Sequence, residues 1–318
     1  MKDRKETKVA FSEVGKKKMT YAFWGFAMFP FVIVSLLFLF QSEDDLPPVE
    51  MLDNPPELLA SVVYADDGET ELGRYWKVNR TSVEYREISP FVTDALISTE
   101  DERFIEHSGV DFKALGRAIV NVGGAGGAST ISQQLAKLLF TLQQREREEQ
   151  ARANGESIGG NSGGRIGRMF RRINEKVREN IIATRLEKRF TKEEIITMYL
   201  NQFDFLYNAV GIENAAKVYF NKKPINLTRE EAAMLVGMCK NPSLFNPYSH
   251  KIKNYRRSIA ADKEVALDAV TEVEIAESRA ADSLRAVSRR NQVLFQWLKN
   301  SANNNEALRN ELTQEEFD

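Results

Sequence analysis

Cysteine and histidine are almost absent from this sequence of 318 residues, and their scarcity excludes two kinds of site. The chain has one cysteine, Cys239, and two histidines, His107 and His250. A single cysteine cannot form an internal disulfide bond, and the apolar run around Cys239 favours a small buried side chain. Zinc sites of the usual kind take most of their ligands from these two residue types, so no such zinc site is predicted.

An excess of charge of one sign is also missing. The chain carries 44 basic and 46 acidic residues, and its net charge is −2. Such a balance argues against a general nucleic-acid-binding protein. With 42% hydrophobic and 28% charged residues the chain is not a disordered one, and its length suits one large domain or two small ones.

Charge is completely absent between residues 21 and 40, a run of twenty mostly apolar residues. Twenty residues of helix span about 30 Å, the thickness of the hydrocarbon core of a bilayer. Residues 1–20 hold seven basic and three acidic side chains, whereas the acidic residues 43–45 follow the run. This asymmetry predicts a single transmembrane helix with residues 1–20 in the cytoplasm and the rest outside. A cleaved signal peptide is the alternative, but no small-x-small cleavage site follows.

The remaining chain divides into three parts. Residues 41–85 are predicted to form an extended linker and a short β-hairpin, with a turn near Gly68. Residues 86–300 show helical periodicity, and Thr191 and Thr228 are predicted N-caps because acidic residues follow each of them. Within this part, 143–165 and 255–288 are interpreted as insertions, a flexible loop and a projecting helical hairpin or extended helix. Residues 301–318 are expected to begin a linker to a further domain.

The stretch from Ala95 to Asp111 organises the chain. A short apolar run leads into Glu100 and Asp101, and the pattern Glu-Asp-x-x-Phe-x-x-His-x-Gly-x-Asp ends at Asp111. A carboxylate at the end of an apolar helix can be buried enough to exchange protons. An isolated Glu-Asp pair, however, is more often a solvated surface feature.

Two further strings carry cations and amides. The first, from Gly126 to Lys137, reads Gly-Gly-Ala-Ser-Thr-Ile-Ser-Gln-Gln-Leu-Ala-Lys. Its glycines permit close approach of a ligand, and a helix N-terminus with a nearby lysine suits an anion. An ordinary capped helix is the simpler interpretation. In the second string, from Arg171 to Glu179, Lys176 lies three residues before Glu179. This spacing is typical of an ordinary surface ion pair, and it also suits a cluster of cations that binds phosphate.

These strings together resemble the signatures of the peptidoglycan glycosyltransferases, the family 51 domain of class A penicillin-binding proteins. The string from Gly126 to Lys137 resembles the second signature, from which it departs at Ser132 and at the following Leu138. The string from Arg171 to Glu179 resembles the third, but it has Glu175 where the family has arginine. Residues 192–201 and 289–294 resemble the fourth and fifth signatures, which are expected to be structural. The five stand in the family's order over residues 60 to 300.

The resemblance implies a mainly α, lysozyme-like domain that polymerises lipid II, releases undecaprenyl diphosphate and inverts C1. It implies Glu100 as the base and Glu179 as a second carboxylate. It also implies a set of residues that bind diphosphate and sugar: Lys137, Lys176, Arg171, Gln134 and Ser129. Asp101 is expected to support the fold or to orient Arg103, and His107 to be packed. The amphipathic segment from Phe112 to Val122 is expected at the membrane surface.

The resemblance also implies a cellular location, binding partners and a candidate metal ion. The expected location is the bacterial cytoplasmic membrane, as a single-pass type II protein with its catalytic domain outside and as an N-terminal fragment of a bifunctional enzyme. The expected partners are lipid II, the growing glycan strand, the bilayer and other cell-wall synthesis and division proteins, but no nucleic acid. No cofactor is implied as certain, and a divalent cation, Mg²⁺ or Mn²⁺, is an expected aid to the diphosphate. A lysozyme-like hydrolase or lytic transglycosylase, and a catalytically inactive scaffold, are the alternatives.

Overall fold

The computed structural model describes residues 17–25, 61–64, 71–75, 81–120, 127, 129–141, 165–248, 254–303 and 305–317. The chain divides into two compact units. One comprises residues 1–46 and 161–178, and the other comprises residues 47–160 and 179–318. Residues 143–164 of the predicted flexible insertion 143–165 lie outside the described residues, as do residues 41–58 of the predicted linker.

In the first unit, residues 17–25 form a helix, α1, whose side chains are exposed. Most of the predicted transmembrane segment, residues 26–40, lies outside the described residues. Among the helices that the structure describes, none combines the length and the apolar character needed to cross a bilayer.

The second unit begins with two strands, β1 (Ser61–Tyr64) and β2 (Glu71–Tyr75). They pair antiparallel with Ser61 opposite Tyr75. The rest of the described chain is helical apart from turns, so the predicted mainly α class is confirmed. After α1, the α-helices that the structure describes are α2 (Pro90–Glu100), α3 (Phe112–Val120), α4 (Ile131–Ala136), α5 (Arg165–Glu187), α6 (Lys192–Gln202), α7 (Ile212–Phe220), α8 (Arg229–Lys240), α9 (Tyr255–Lys263), α10 (Glu272–Ala302) and α11 (Gln314–Phe317).

Local sequence signals explain where several helices begin. Thr130, Thr191, Thr228 and Thr271 each cap a helix, and the side chain three residues on returns a bond to the threonine amide. Such reciprocal bonds satisfy amides that have no partner inside the helix. The two predicted N-caps, Thr191 and Thr228, are confirmed.

The core forms around α2, which packs against α8 and α10. Val92, Ala95 and Leu96 are fully buried, so α2 is enclosed on nearly all sides. Trp297 of α10 is also fully buried, and its indole nitrogen donates to the carbonyl of Asn310. This packing fixes the direction of α2 and therefore the place where Glu100, its last residue, lies.

The segment after residue 301, predicted to begin a linker, packs against this core. Leu312 is buried, and the carboxylate of Asp94 accepts the amides of Arg309 and Asn310 at 3.0 and 2.8 Å. Burial raises the pKa of Asp94, although these bonds oppose the shift. These bonds join residues more than 200 positions apart in the sequence, so no local pattern predicts them.

The predicted insertion 255–288 forms α9, a short 3-10 turn at Leu267–Ala269 and the first half of α10. Tyr255, Ala260, Val270 and Ile275 make a small hydrophobic cluster of their own. The Tyr255 hydroxyl donates to the buried Asp282 at 2.9 Å. This segment, which we call the helical hairpin (residues 254–288), is thus held mainly by its own contacts.

Candidate active site

A cavity of about 460 Å³ lies at the end of α2. Its wall combines the last residues of α2, the loop that follows, the first turns of α3 and α4, and one face of α10. Residues from the first two signatures therefore meet residues that are far away in sequence. The lining includes Glu100, Ser129, Gln134, Lys240, Arg289 and Lys299.

Glu100 is held at both carboxylate oxygens. Its Oε1 atom accepts from Nη2 of Arg289 at 3.3 Å, and its Oε2 atom accepts from Nε2 of Gln134 at 3.1 Å. Gln134 in turn accepts from the Tyr199 hydroxyl at 3.0 Å. The Glu100 side chain is 16% exposed. A carboxylate so placed is fixed in direction yet has lone pairs left for a further proton donor.

Arg289 is the functional residue that sequence reasoning missed, since the fifth signature was interpreted as structural. Its side chain is only 6% exposed, and it also donates to the Gly237 carbonyl at 3.3 Å and to Gln292 at 2.9 Å. Burial lowers the pKa of Arg289 whereas Glu100 raises it, and an arginine stays charged in either case. One signal could have found it, because Arg289 continues the buried stripe of Ala286 and Val293.

Tyr199 and Cys239 form an apolar backing to this network. Burial, together with nearby Cys239 and Glu100, raises the pKa of Tyr199 well above its ordinary value. Burial likewise raises the pKa of the Cys239 thiol. Both side chains therefore stay neutral, and Tyr199 acts as a fixed hydrogen-bond donor. The prediction that Cys239 is a small buried side chain is confirmed.

Asp101 supports the loop that follows α2. It accepts from Nε2 of His107 at 3.0 Å and from the amide of Ile131 at 3.0 Å. Because Nδ1 of His107 accepts from the Gly109 amide at 3.3 Å, the proton of the neutral ring lies on Nε2. The packed role of His107 is confirmed. The alternative in which Asp101 orients Arg103 is wrong, because Arg103 pairs with Asp111.

Gly109 joins the first signature to the second. Its φ is +95°, and an added Cβ would lie 2.8 Å from backbone atoms of Ala183 and Thr184, so only glycine fits. The Thr130 hydroxyl donates to the Gly109 carbonyl at 2.6 Å. The loop is therefore fastened to the start of α4, which positions Gln134 beside Glu100.

Asp111 closes the loop and begins α3. Its Oδ1 atom accepts the amides of Lys113 and Ala114 at 3.0 and 2.9 Å. Burial alone would raise the pKa of Asp111, but the Ala114 amide and the Arg103 guanidinium lower it further, and the net shift is downward. Asp111 is thus a helix cap and an ion-pair partner.

Both cations and carboxylates line the cavity. Arg117 donates to Glu102 at 2.9 Å, whereas Lys240 and Lys299 make no ion pair within the described parts of the chain. These lysines leave positive charge available to an anionic ligand. In the described ranges no three histidine, cysteine, aspartate or glutamate side chains are grouped closely enough to hold a metal ion.

The structure brings together three of the seven site residues predicted from the sequence. Glu100, Gln134 and Ser129 line the cavity, and Lys137 is exposed in a π turn (Lys137–Thr141) that follows α4. Glu179 is buried in α5. Neither Lys137 nor Glu179 is among the described lining residues. Arg171 and Lys176 belong to the first unit, where Arg171 lies 3.8 Å from Glu175.

Comparison with known proteins supports the glycosyltransferase family that the sequence signatures predict. The family model described as "Transglycosylase" matches residues 68–267. Penicillin-binding protein 1A of Escherichia coli (strain K12) is 32% identical over 242 residues, which are 74% of this chain and 25% of that protein. Penicillin-binding protein 1F of Bacillus subtilis (strain 168) is 36% identical over 204 residues, 63% of this chain and 25% of that protein. Penicillin-binding protein 2a of Streptococcus pneumoniae (strain ATCC BAA-255 / R6) is 33% identical over 216 residues, 67% of this chain and 26% of that protein.

The protein, with its helical fold and its Glu100 cavity, is thus a glycosyltransferase. More particularly, the chain belongs to the transglycosylase family, the family 51 peptidoglycan glycosyltransferases, as its signatures predict. It spans about a quarter of the length of these curated relatives.

Proposed function

We propose that this chain is the peptidoglycan glycosyltransferase part of a cell-wall synthase, with a lysozyme-like domain that polymerises lipid II. One observation carries the proposal. Glu100 lies in a cavity, fixed by Arg289 and Gln134, with uncompensated lysines in the same wall. A base beside positive charge suits the transfer of a sugar from a diphosphate to a hydroxyl.

Glu100 acts as the general base. The 4-hydroxyl of a GlcNAc residue attacks C1 of the neighbouring sugar, Glu100 takes the hydroxyl proton, and the bond from C1 to the diphosphate oxygen breaks. A single displacement inverts C1 and releases undecaprenyl diphosphate. Arg289 and Gln134 hold the carboxylate in one orientation, which keeps its free lone pair directed at the hydroxyl.

The leaving diphosphate is stabilised by cations. Following the family resemblance, Lys137, Lys176 and Arg171 bind the diphosphate, and Ser129 and Gln134 contact the sugar or phosphate oxygens. Glu179 orients these cations or stabilises positive charge on the sugar ring. Negative charge grows on the diphosphate as the bond breaks, so fixed cations bind the transition state better than the substrate.

The chain works at the bacterial cytoplasmic membrane, anchored by residues 21–40 with the helical domain outside. The exposed side chains of Phe112 and Leu115, 76% and 42% accessible, favour contact of α3 with the membrane surface. That location suits a substrate that stays in the bilayer. Other cell-wall synthesis and division proteins are the expected partners.

Product analysis tests the reaction class. The purified chain in detergent is incubated with lipid II, or separately with finished uncrosslinked glycan strands. We expect polymer from lipid II and no cleavage of finished strands. Lys137→Ala should reduce polymer formation at least about tenfold, since one charge-assisted phosphate contact contributes about 1.5–3 kcal/mol.

A chain that cleaves finished strands, and that keeps this activity in Lys137→Ala, would be a hydrolase or a lytic transglycosylase. A folded chain that neither polymerises lipid II nor cleaves strands would be a scaffold. Either result overturns the proposal.

A further inference from the structure

The outer face of the helical hairpin carries an apolar stripe that nothing in the described structure covers. Val273, Ala276, Ala280, Leu284 and Val287 recur at spacings of three and four residues along α10, so they share one helix face. Val273, Leu284 and Val287 are 66%, 69% and 39% exposed, and the two alanines are exposed as well. The opposite face of this half of α10, with Ile275 and Asp282, is buried. The stripe is therefore a second face of the helix, separate from the face that packs against the rest of the protein.

The stripe is symmetric about Ala280. Val273 and Val287 lie seven residues to either side of it, and Ala276 and Leu284 lie four residues to either side. If two copies of α10 run antiparallel about a two-fold axis at Ala280, Val273 meets the partner's Val287. Ala276 then meets the partner's Leu284, so that a small side chain faces a large one and the layers interdigitate. The two Ala280 residues meet at the axis, where their small size allows close approach.

The charges beside the stripe are arranged in a similar way, about residue 281, one position from the centre of the stripe. Glu272 and Glu277 lie in its N-terminal half, and Arg285 and Arg290 lie toward its C-terminal end. Antiparallel pairing about Ala280 places Glu272 about 3 Å along the helix axis from the level of the partner's Arg290, and it places Glu277 at the same offset from the partner's Arg285. The Arg285 side chain also pairs with Asp282 of its own helix. Parallel pairing would place like charges together, which is unfavourable. Within the described chain Glu277 makes no ion pair, and the Glu272 side chain is 80% exposed although it contacts Arg256.

We propose that the helical hairpin is a homodimer contact, in which α10 of one chain packs antiparallel against α10 of a second copy. The shared surface is isologous, since the same patch serves both copies. The stripe spans about 21 Å, or four helical turns. A contact of one helix pair is smaller than a standard interface, so the dimer is weak and forms at high local concentration.

Cysteine cross-linking tests the register. Cys239 is buried and is the chain's single cysteine, so a cysteine placed on the stripe supplies the one exposed thiol. Ala280→Cys should form a disulfide-linked dimer under mild oxidation, because the two thiols meet at the axis. Ala276→Cys is the matched control. In the antiparallel pair its two copies are offset by about 12 Å along the helix, too far for a disulfide bond.

A mixture of Ala276→Cys with Leu284→Cys should also cross-link, and the mixed product should exceed the self-linked products of either variant. Cross-linking at residue 276 as strong as at residue 280 would indicate parallel pairing or random collision and would overturn the proposal. Absence of the dimer at residue 280, with the thiol shown to be reactive, would overturn it too.

Sedimentation of the unmodified chain in detergent gives a second readout. We expect a concentration-dependent dimer, and we expect Leu284→Glu to weaken it at least tenfold while helix content by circular dichroism stays constant. A chain that sediments as a monomer at all concentrations, or a Leu284→Glu variant that dimerises equally well, would refute the contact.

Discussion

The Glu100 cavity and the helical hairpin are both built from helices, yet they are held together differently. In the cavity, side chains bond across long sequence separations, as between Arg289 and Glu100, which are 189 residues apart. In the hairpin, bonds such as the one from Tyr255 to Asp282 span 27 residues. The cavity therefore depends on the whole core, whereas the hairpin depends on itself. We therefore expect changes in the hairpin to have little effect on the cavity.

The largest effect should follow from breaking the long-range contact between Arg289 and Glu100. Arg289→Gln removes the cation from Glu100, and we expect polymer formation to fall at least about 100-fold, because a misdirected base loses much of its catalytic effect. Breaking a largely buried pair should also cost about 3 kcal/mol of unfolding free energy. Rates with lipid II and chemical denaturation measure the two effects.

Arg290→Gln is the matched control, since the Arg290 side chain bonds to the neighbouring Asn291 and not to the cavity. Both its rate and its stability should stay close to those of the parent chain. Equal losses in the two variants would mean that Arg289 acts only through the general stability of α10.

A smaller effect is expected at the loop that joins the first two signatures. Gly109→Ala forces a Cβ against the backbone of Ala183 at a positive φ, so we expect a loss of about 2–3 kcal/mol of unfolding free energy. Gly116→Ala, seven residues on, meets nothing within 4 Å inside α3 and should be neutral or stabilising. Thermal denaturation of both variants checks the contrast, and a neutral Gly109→Ala would contradict it.

The smallest effect should be confined to the hairpin. Tyr255→Phe removes the bond to Asp282, and we expect a local loss of about 1 kcal/mol, seen as faster amide exchange in residues 255–288 only. Tyr207→Phe, which loses a bond to the Tyr248 carbonyl, should leave the hairpin's exchange unchanged. Polymer formation should be unaffected by Tyr255→Phe, and a large loss of activity would show that the hairpin is coupled to the cavity.

The same contrast shows what the sequence could predict. Helix starts at Thr191 and Thr228 were predictable because a cap and its partner lie three residues apart. The packed role of His107 was likewise predictable from a compact signature. The Arg289–Glu100 pair and the docking of residues 309–312 were not, because each depends on how helices distant in sequence pack. Glu100, Gln134 and Ser129 were placed together through family resemblance rather than through any local pattern.

The measurement that tests the central claim most directly compares Glu100→Gln with Glu106→Gln in polymer formation from lipid II, with lipid II binding measured in parallel. Glu106 lies in the same loop, where its exposed side chain contacts Lys113 at 3.6 Å. If Glu100 is the base, Glu100→Gln should bind lipid II yet lose at least about 1,000-fold in rate, since loss of base catalysis alone accounts for 10²–10⁴-fold. Glu106→Gln should polymerise normally. Polymer formation by Glu100→Gln at the rate of the parent chain would contradict the account and assign the base to another carboxylate.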